Sequence, residues 1–269
     1  MMIGVSPDLD LALRLADAAD DVTLARFRSS DLRVTSKPDR TPVTDADTAV
    51  ESRLRELLAA ERPGDVILGE EEGGAVAAQG RGWVIDPIDG TKNFSRGLPV
   101  WATLIGLTVD GEPVVGVASA PALGRRWWAA RGEGAWTAGP DGAPRRIGVS
   151  GVTDLADAYL TTTDARSFTE IGRADRWQAL TAAVWETRAF GDFWMYCLLA
   201  EGAVDIAVDA LANPWDLAAL VPIVTEAGGR LSDLAGVDGF TGGNGLATNG
   251  ALHDAVVRTL TPSGLRDRR

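Results

Sequence analysis

Residues 83–94, WVIDPIDGTKNF, constrain the fold of this chain more than any other segment. A short apolar strand ends here in two carboxylates, Asp86 and Asp89, which are three positions apart. Pro87 fixes its own φ, and Gly90 permits a backbone conformation and a close approach that other residues do not allow. The turn can therefore hold both acids around one point. This pattern indicates a cation site with room for an anion beside it.

The length and composition of the sequence are those of a globular protein. The chain has 269 residues, of which 45% are hydrophobic, enough for one large domain or two modest ones that share a core. The net charge of −12 opposes sequence-independent binding of nucleic acid. Cys197 is the only cysteine, so an intrachain disulfide is impossible. No apolar run approaches the roughly 18 residues that cross a bilayer, and residues 1–10 lack the pattern of an export signal. We expect a cytoplasmic protein with no membrane span.

Apolar periodicity and turn residues predict alternating helices and strands. The segment 139–144, followed by 149–154, is the best candidate for a boundary between an N-terminal half, 1–148, and a C-terminal half, 149–269, of a single domain. Pro222 implies a kink in the helix predicted from Pro214 to Ala227. The predicted helices span residues 8–27, 44–63, 168–185, 193–200 and 214–227, and the predicted strands span residues 66–68, 83–85, 101–107, 114–118, 127–130, 134–136 and 204–208.

Five segments place acidic residues near the ends of these elements. If several of them converge, their mutual repulsion is severe, and divalent cations relieve it. Oxygen ligands without cysteine, and with the only histidine remote, favour Mg²⁺ or Mn²⁺ over zinc. The acids are Asp45 and Asp47, Glu70 to Glu72, Asp86 and Asp89, Asp192, and Asp216.

A cluster of acidic residues that binds divalent cations suits the hydrolysis of a phosphate ester. Two ions about 3.5 to 4 Å apart can activate a water, polarise a phosphoryl oxygen and stabilise the leaving oxygen. Gly90 and Thr91 follow the acids and can offer backbone amides and a hydroxyl to phosphate oxygens. Thr91 can also hold the attacking water jointly with Asp47.

Three ordered motifs resemble those of the inositol monophosphatase family of magnesium-dependent, lithium-sensitive phosphatases. They are GEE at residues 69–71, WVIDPIDGT at 83–91, and PWDLAA at 214–219 leading into EAGG at 226–229. The resemblance spans nearly the whole chain. It implies an α/β fold, a layered αβαβα sandwich of the sugar-phosphatase type, and a homodimer.

The resemblance also implies roles for individual residues. Glu70 and Asp47 would act with Thr91 in catalysis, where Asp47 and Thr91 orient the nucleophilic water. Gly90 and Thr91 would hold phosphate, with Asp89 and Asp216 also facing the substrate. Two or three Mg²⁺ ions, for which Mn²⁺ can substitute, would be bound by the carboxylates of Glu70, Asp86, Asp89 and Asp216 and by the carbonyl oxygen of Ile88.

Within the family, four segments are similar to those of an actinobacterial branch that acts on L-histidinol phosphate. They lie at residues 42–47, 92–97, 125–132 and 188–192. Asp192 departs from the inositol-type relatives, and its carboxylate suits a cationic leaving group better than a neutral polyol. Lys92 and Arg188 would offset phosphate charge or orient the substrate. We expect hydrolysis of this ester to L-histidinol and phosphate, a step of histidine biosynthesis.

Simpler structural roles exist for several of these residues. Asp47 fits a capping box with Thr44, Glu70 to Glu72 fit a solvated turn, and Asp216 fits a helix N-terminus. Asp192 is a candidate N-cap of the helix from residue 193, and His253 is expected to be solvated on a surface helix.

Three other functions remain open from the sequence. A phosphatase of the same fold can act on inositol phosphates or other small phosphate esters. Asp45 and Asp47 invite an aspartyl-phosphate mechanism of the haloacid dehalogenase kind, although residues 41–44 make a poor buried strand before them. The acids can also bind a divalent ion in a non-catalytic module.

Overall fold

The computed structural model describes residues 6–38 and 41–261. The predicted single domain over 1–269 and the prediction about residues 1–10 extend beyond these ranges. The helices are α1 Pro7–Arg26, α2 Asp45–Glu61, α3 Thr91–Ser95, α4 Ser167–Glu170, α5 Ala174–Ala183, α6 Asp192–Ala200, α7 Pro214–Leu217, α8 Leu220–Glu226 and α9 His253–Leu260. The strands are β1 Val34–Ser36, β2 Pro42–Thr44, β3 Val66–Gly69, β4 Gly73–Gly74, β5 Arg81–Asp89, β6 Ala102–Val109, β7 Glu112–Ala120, β8 Arg125–Ala130, β9 Gly134–Ala138, β10 Arg145–Arg146, β11 Tyr159–Thr162, β12 Glu186–Arg188, β13 Ile206–Asp209, β14 Arg230–Ser232 and β15 Gly245–Thr248.

The first large sheet has eight strands in the order β10-β9-β8-β7-β6-β5-β3-β4. Its centre is the predicted hairpin of β6 and β7, which turns at Asp110 and Gly111. Strand β3 is parallel to β5 and pairs Gly69 with Ile85. This register brings the residues that follow β3 beside the end of β5, where Asp86 lies.

The second sheet has five strands in the order β12-β11-β13-β15-β14. Strand β11 runs parallel to both of its neighbours, β12 and β13. Strands β13, β15 and β14 pair antiparallel. A separate two-stranded sheet of β1 and β2 precedes α2.

Alternating side chains of the two sheets face three helical layers. On one face of the first sheet, Trp83 and Ile85 pack with Leu15 of α1 and Leu54 of α2. Its other face packs through helices α6 and α8 on the inner face of the second sheet. Beyond the second sheet, Ile206 and Leu246 pack with Leu180 of α5 and Val256 of α9. These layers confirm the predicted αβαβα sandwich.

Two predicted helices are interrupted in the structure. The prediction of one helix over 168–185 is wrong, because Gly172 takes a left-handed φ of +69° and separates α4 from α5. The predicted helix from Pro214 is interrupted at Ala218 and Ala219, between α7 and α8. Pro222 lacks the amide hydrogen that would bond to the Ala218 carbonyl, which accounts for a break at the predicted kink.

Two predictions about burial also need correction. Of the strand predicted as buried at 66–68, Leu68 is buried but Val66 is 42% exposed. His253 is buried rather than solvated, with its ring nitrogens 2.9 Å from Ser232 Oγ and 3.1 Å from Thr248 Oγ1. Burial lowers the pKa of His253 to about 4. Within 6–38 and 41–261, no helix combines the length and apolarity needed to cross a membrane.

Candidate active site

A cleft of about 1060 Å³ opens where the ends of β3 and β5 meet helices α3, α6 and α7. Nine of the predicted site residues line it: Glu70, Asp86, Ile88, Asp89, Gly90, Thr91, Lys92, Asp192 and Asp216. Asp47 lies behind the wall and contacts Thr91. Arg188 is not among the described residues that line the cleft; its guanidinium donates to Glu186 Oε1 and to the Thr187 carbonyl.

Three carboxylates converge at the floor of the cleft. Oxygen atoms of Asp86, Asp89 and Asp216 all lie within 4.8 Å of one another. The first two belong to β5, where the pairing with β6 shifts register between them. Asp216 comes from the first turn of α7, where its Oδ2 accepts a hydrogen bond of 2.6 Å from the Asn213 amide.

The electrostatics of this cluster favour a cation. Burial, followed by the charges of neighbouring acids, raises the pKa of Asp86 and of Asp89 well above the usual range. Burial raises the pKa of Asp216 to about 7, and the charge of Glu70 adds to the shift. Asp86 Oδ1 is buried and has no hydrogen-bond partner among the described residues. An oxygen-rich site with an unpartnered buried carboxylate oxygen fits a hard divalent ion such as Mg²⁺.

Glu70 stands beside this cluster, but its carboxylate is held by a lysine. Its backbone amide donates to the Ile85 carbonyl at 3.2 Å, which extends the β3–β5 pairing by one step. Lys37 Nζ donates to Glu70 Oε1 at 2.7 Å and to Glu71 Oε1 at 2.8 Å. The Lys37 ammonium thus offsets the negative charge of Glu70 and Glu71, as a bound metal ion also would.

The predicted pair of Asp47 and Thr91 forms in the structure. Thr91 Oγ1 lies 3.1 Å from Asp47 Oδ1 and 2.9 Å from the Ile88 carbonyl oxygen. Asp47 Oδ2 accepts from the Thr44 amide and hydroxyl, which completes the capping box of α2. Burial raises the pKa of Asp47. The cap and the contact with Thr91 coexist, one on each carboxylate oxygen.

Gly90 and Lys92 form the wall next to this pair. Gly90 has a left-handed φ of +87°, and a Cβ there would lie 3.0 Å from the Val100 carbonyl oxygen. Glycine therefore satisfies both the conformation and the space at the start of α3. Lys92, in the first turn of α3, lowers the pKa of Asp192 across the cleft, although burial outweighs it and the pKa of that carboxyl is raised.

Asp192 is not the N-cap of α6, contrary to the structural role considered from the sequence. Gly191 takes the N-cap position and Asp192 is the first helical residue, with a strained φ of +47°. Its amide donates to Thr163 Oγ1 at 2.9 Å, and its Oδ2 accepts from Asn93 Nδ2 at 3.1 Å. The Asp192 carboxylate oxygen thus accepts from Asn93, and α6 begins without a side-chain cap hydrogen bond.

Sequence reasoning missed three charged residues that line the cleft, Asp209, Lys37 and Asp164. Asp209, at the end of β13, accepts a hydrogen bond of 3.1 Å from the Tyr196 hydroxyl, and burial raises its pKa to about 7. The chain has only two lysines, Lys37 and Lys92, against 24 arginines. Both lysines line the cleft, so their rarity was a usable signal.

Comparisons with known proteins agree with this geometry. A family model described as the inositol monophosphatase family matches residues 5–264. The histidinol-phosphatase of Mycobacterium tuberculosis is 56% identical over 253 residues, covering 94% of this chain and 97% of the relative. That of Streptomyces coelicolor is 51% identical over 258 residues, covering 94% and 96%. The structure of an inositol monophosphatase from Zymomonas mobilis matches with a TM-score of 0.81 and 34% identity, covering 94% of this chain and 97% of that one.

Proposed function

The chain belongs to the inositol monophosphatase family, and we propose that it is a Mg²⁺-dependent phosphomonoesterase that hydrolyses L-histidinol phosphate to L-histidinol and phosphate in histidine biosynthesis. The observation that carries the reaction class is the convergence of Asp86, Asp89 and Asp216 beside the Asp47–Thr91 pair. The similarity to two histidinol-phosphatases supports the substrate.

The metal would be held by oxygen atoms at the floor of the cleft and at its margin. These are the carboxylates of the floor, together with Glu70 and the Ile88 carbonyl oxygen, and they suit two or three Mg²⁺ ions, with Mn²⁺ as a substitute. When bound, Mg²⁺ neutralises the cluster and supplies Lewis acidity toward the phosphate. Lys37 would have to release Glu70 for that carboxylate to bind an ion, because its ammonium lies 2.7 Å from Glu70 Oε1.

Asp47 and Thr91 would orient the attacking water and take up its proton. Asp47 Oδ2 is already saturated by the Thr44 amide and hydroxyl, so only Oδ1 remains for Thr91. A Thr91 hydroxyl that donates to Asp47 Oδ1 presents its lone pairs to a water in the cleft. The raised pKa of Asp47 makes its carboxylate a stronger base than an exposed aspartate.

The substrate would lie between α3 and α6. Gly90, Thr91 and Lys92 would hold the phosphate, and Asp192 would face the cationic amine or imidazolium of histidinol. Both walls line the same cleft. Arg188 would first have to leave Glu186 Oε1, to which it now donates.

Phosphate release tests the proposal directly. The purified protein is assayed with histidinol phosphate, inositol monophosphate and a nucleoside monophosphate, each with Mg²⁺ and with a chelator. We expect the highest kcat/KM with histidinol phosphate and no turnover with chelator. A preference for inositol monophosphate would refute the assignment of histidinol phosphate as the substrate. Metal-dependent melting without turnover of any ester would favour a non-catalytic metal-binding module.

Asp192→Ala tests the cationic side of the substrate. We expect kcat/KM for histidinol phosphate to fall by about 10- to 100-fold, since loss of a charge-assisted contact costs about 1.5–3 kcal/mol. The value for a neutral ester such as glycerol phosphate should change little. Asp175→Ala, at an exposed position of α5, is the matched control. Equal effects on both esters would remove Asp192 from substrate recognition.

We also propose three properties that the sequence analysis predicts. The chain would act as a homodimer, in the cytoplasm, with residues 1–148 supplying the metal and phosphate motifs of one phosphatase domain and residues 149–269 supplying Asp216 and the substrate side. Light scattering on the purified protein measures the dimer, and a monomeric mass at micromolar concentration would contradict it.

A further inference from the structure

Glu51 of α2 is completely buried and lies behind the turn that carries Glu70. Its Oε2 accepts a hydrogen bond of 2.7 Å from the Glu71 amide, and its Oε1 accepts one of 3.0 Å from the Glu72 amide. Arg55, one turn later, donates to Oε1 from Nε at 2.9 Å. Each carboxylate oxygen is therefore used, and the bonds are of the charge-assisted kind.

The turn is built around this carboxylate. A Cβ at Gly69 would lie 2.0 Å from Glu51 Oε1 and 2.6 Å from Oε2, so only glycine leaves room for the carboxylate at the end of β3. Arg55 Nη2 also donates to the Gly73 carbonyl at 2.6 Å, which closes the other side of the turn. Residues 69–73 thus wrap around an ion pair of the buried Glu51 with the partly exposed Arg55.

The two peptide planes that flank Glu70 are both fixed by these contacts. The Glu70 amide donates to the Ile85 carbonyl, which fixes the plane before its Cα. The Glu71 amide donates to Glu51, which fixes the plane after it. Together they set φ and ψ of Glu70 and therefore the direction in which its side chain leaves the backbone.

We propose that Glu51 is a positioning residue that aims the carboxylate of Glu70 at the metal site. The inference rests on the proposed function, in which Glu70 binds Mg²⁺. Glu51 itself is 0% exposed and is not among the described residues that line the cleft. Its effect should therefore appear in metal affinity and not in the chemistry of the Asp47–Thr91 pair.

Glu51→Gln is the first variant. Glutamine has one side-chain oxygen, and its NH₂ group would face a backbone amide, so one of the two bonds to the turn is lost. Groups that orient metal ligands typically change metal affinity about 10- to 100-fold. We expect the Kd for Mg²⁺, measured by calorimetry without substrate, to rise about 10-fold, while kcat at saturating Mg²⁺ stays within about threefold. Glu56→Gln, at an exposed position of the same helix, is the matched control and should keep the wild-type Kd.

Gly69→Ala perturbs the same contact from the other side. Its Cβ would displace the Glu51 carboxylate without removing its charge, so the Kd for Mg²⁺ should again rise about 10-fold. In a Glu51→Ala background, the Gly69→Ala change should add less than about twofold, because the carboxylate that the Cβ would strike is gone. A general loss of stability would instead add in the double variant.

The outcomes separate this inference from the proposed function. Wild-type protein that binds no Mg²⁺ would overturn both. Wild-type protein that binds Mg²⁺, with Glu51→Gln and Gly69→Ala binding it equally well, would overturn the positioning role alone. Where neither variant folds, Arg55→Gln decides, since it loosens Glu51 while leaving its carboxylate in place: a Kd raised at least about threefold supports the role, and an unchanged Kd refutes it.

Discussion

Replacement of Asp216 by asparagine should make the metal-free protein more stable and remove its stabilisation by Mg²⁺. Asp216 shares the floor of the cleft with Asp86 and Asp89, and its pKa is raised from 3.8 to about 7. At a pH above that value, the native protein carries a half-buried charge that the other acids repel. Asparagine keeps an oxygen for the Asn213 amide and carries no charge.

The size of the expected gain in stability follows from the shift in the pKa of Asp216. The folded state binds the Asp216 proton more tightly than the unfolded state, so the metal-free protein loses stability as the pH rises from about 4 to about 7. A shift of roughly three pKa units corresponds to about 4 kcal/mol, which is the upper limit of the gain from the substitution. At about pH 5 the same reasoning limits the gain in stability from Asp216→Asn to under about 2 kcal/mol.

Urea unfolding in chelator at about pH 5 and about pH 8 measures this difference. We expect the midpoint of Asp216→Asn to lie above that of wild type by about 1 M at the higher pH, and by less at the lower pH. Mg²⁺ at about a hundred times its Kd should add about 2.7 kcal/mol to wild type and much less to the variant. Asp175→Asn is the exposed control. If Asp216→Asn unfolds at the same or a lower urea concentration than wild type at about pH 8, repulsion among these carboxylates does not dominate the cluster.

Three further predictions concern single residues. Thr91→Ala should lower kcat by about two orders of magnitude with the Kd for Mg²⁺ nearly unchanged, because it removes the partner of Asp47; steady-state kinetics and calorimetry measure both, and an unchanged kcat would contradict the role. The pKa of His253 is lowered to about 4, so stability should fall by up to about 3 kcal/mol as the pH drops from about 6.5 to 4; His253→Gln should lessen that loss in urea titrations, and an identical acid profile would refute the assignment. Gly90→Ala should destabilise the metal-free protein by more than about 1 kcal/mol, because of its positive φ and the nearby Val100 carbonyl; an unchanged Tm would show that the turn can relax.

The parts of the fold that depend on local pattern could be predicted from the sequence. The hairpin of β6 and β7 has two apolar runs around Asp110 and Gly111, and the capping box of α2 is visible in Thr44 and Asp47. The kink before Pro222 follows from a missing amide hydrogen. In each case the residues that determine the structure are neighbours in the chain.

The contacts that sequence reasoning missed join residues far apart in the chain. Glu51 meets the turn of Glu71 twenty positions away, and Lys37 reaches Glu70 across 33. Asp209 is buried by elements that only the packing of the second sheet brings together. Hydrophobic periodicity carries no information on contacts between residues so far apart in the chain. The break at Gly172 was missed for another reason, because a glycine can end a helix or remain inside one.

The location of Asp216 has a consequence for the lifetime of the protein. Asp86 and Asp89 lie at the end of a strand of the first sheet, whereas Asp216 lies in α7, which follows strand β13 of the second sheet. An ion bound by all three carboxylates would link the first sheet to the helical layer that contains α7. If the proposed Mg²⁺ binds there, its removal would break this link between the layers, and we expect limited proteolysis to be faster in chelator than with Mg²⁺.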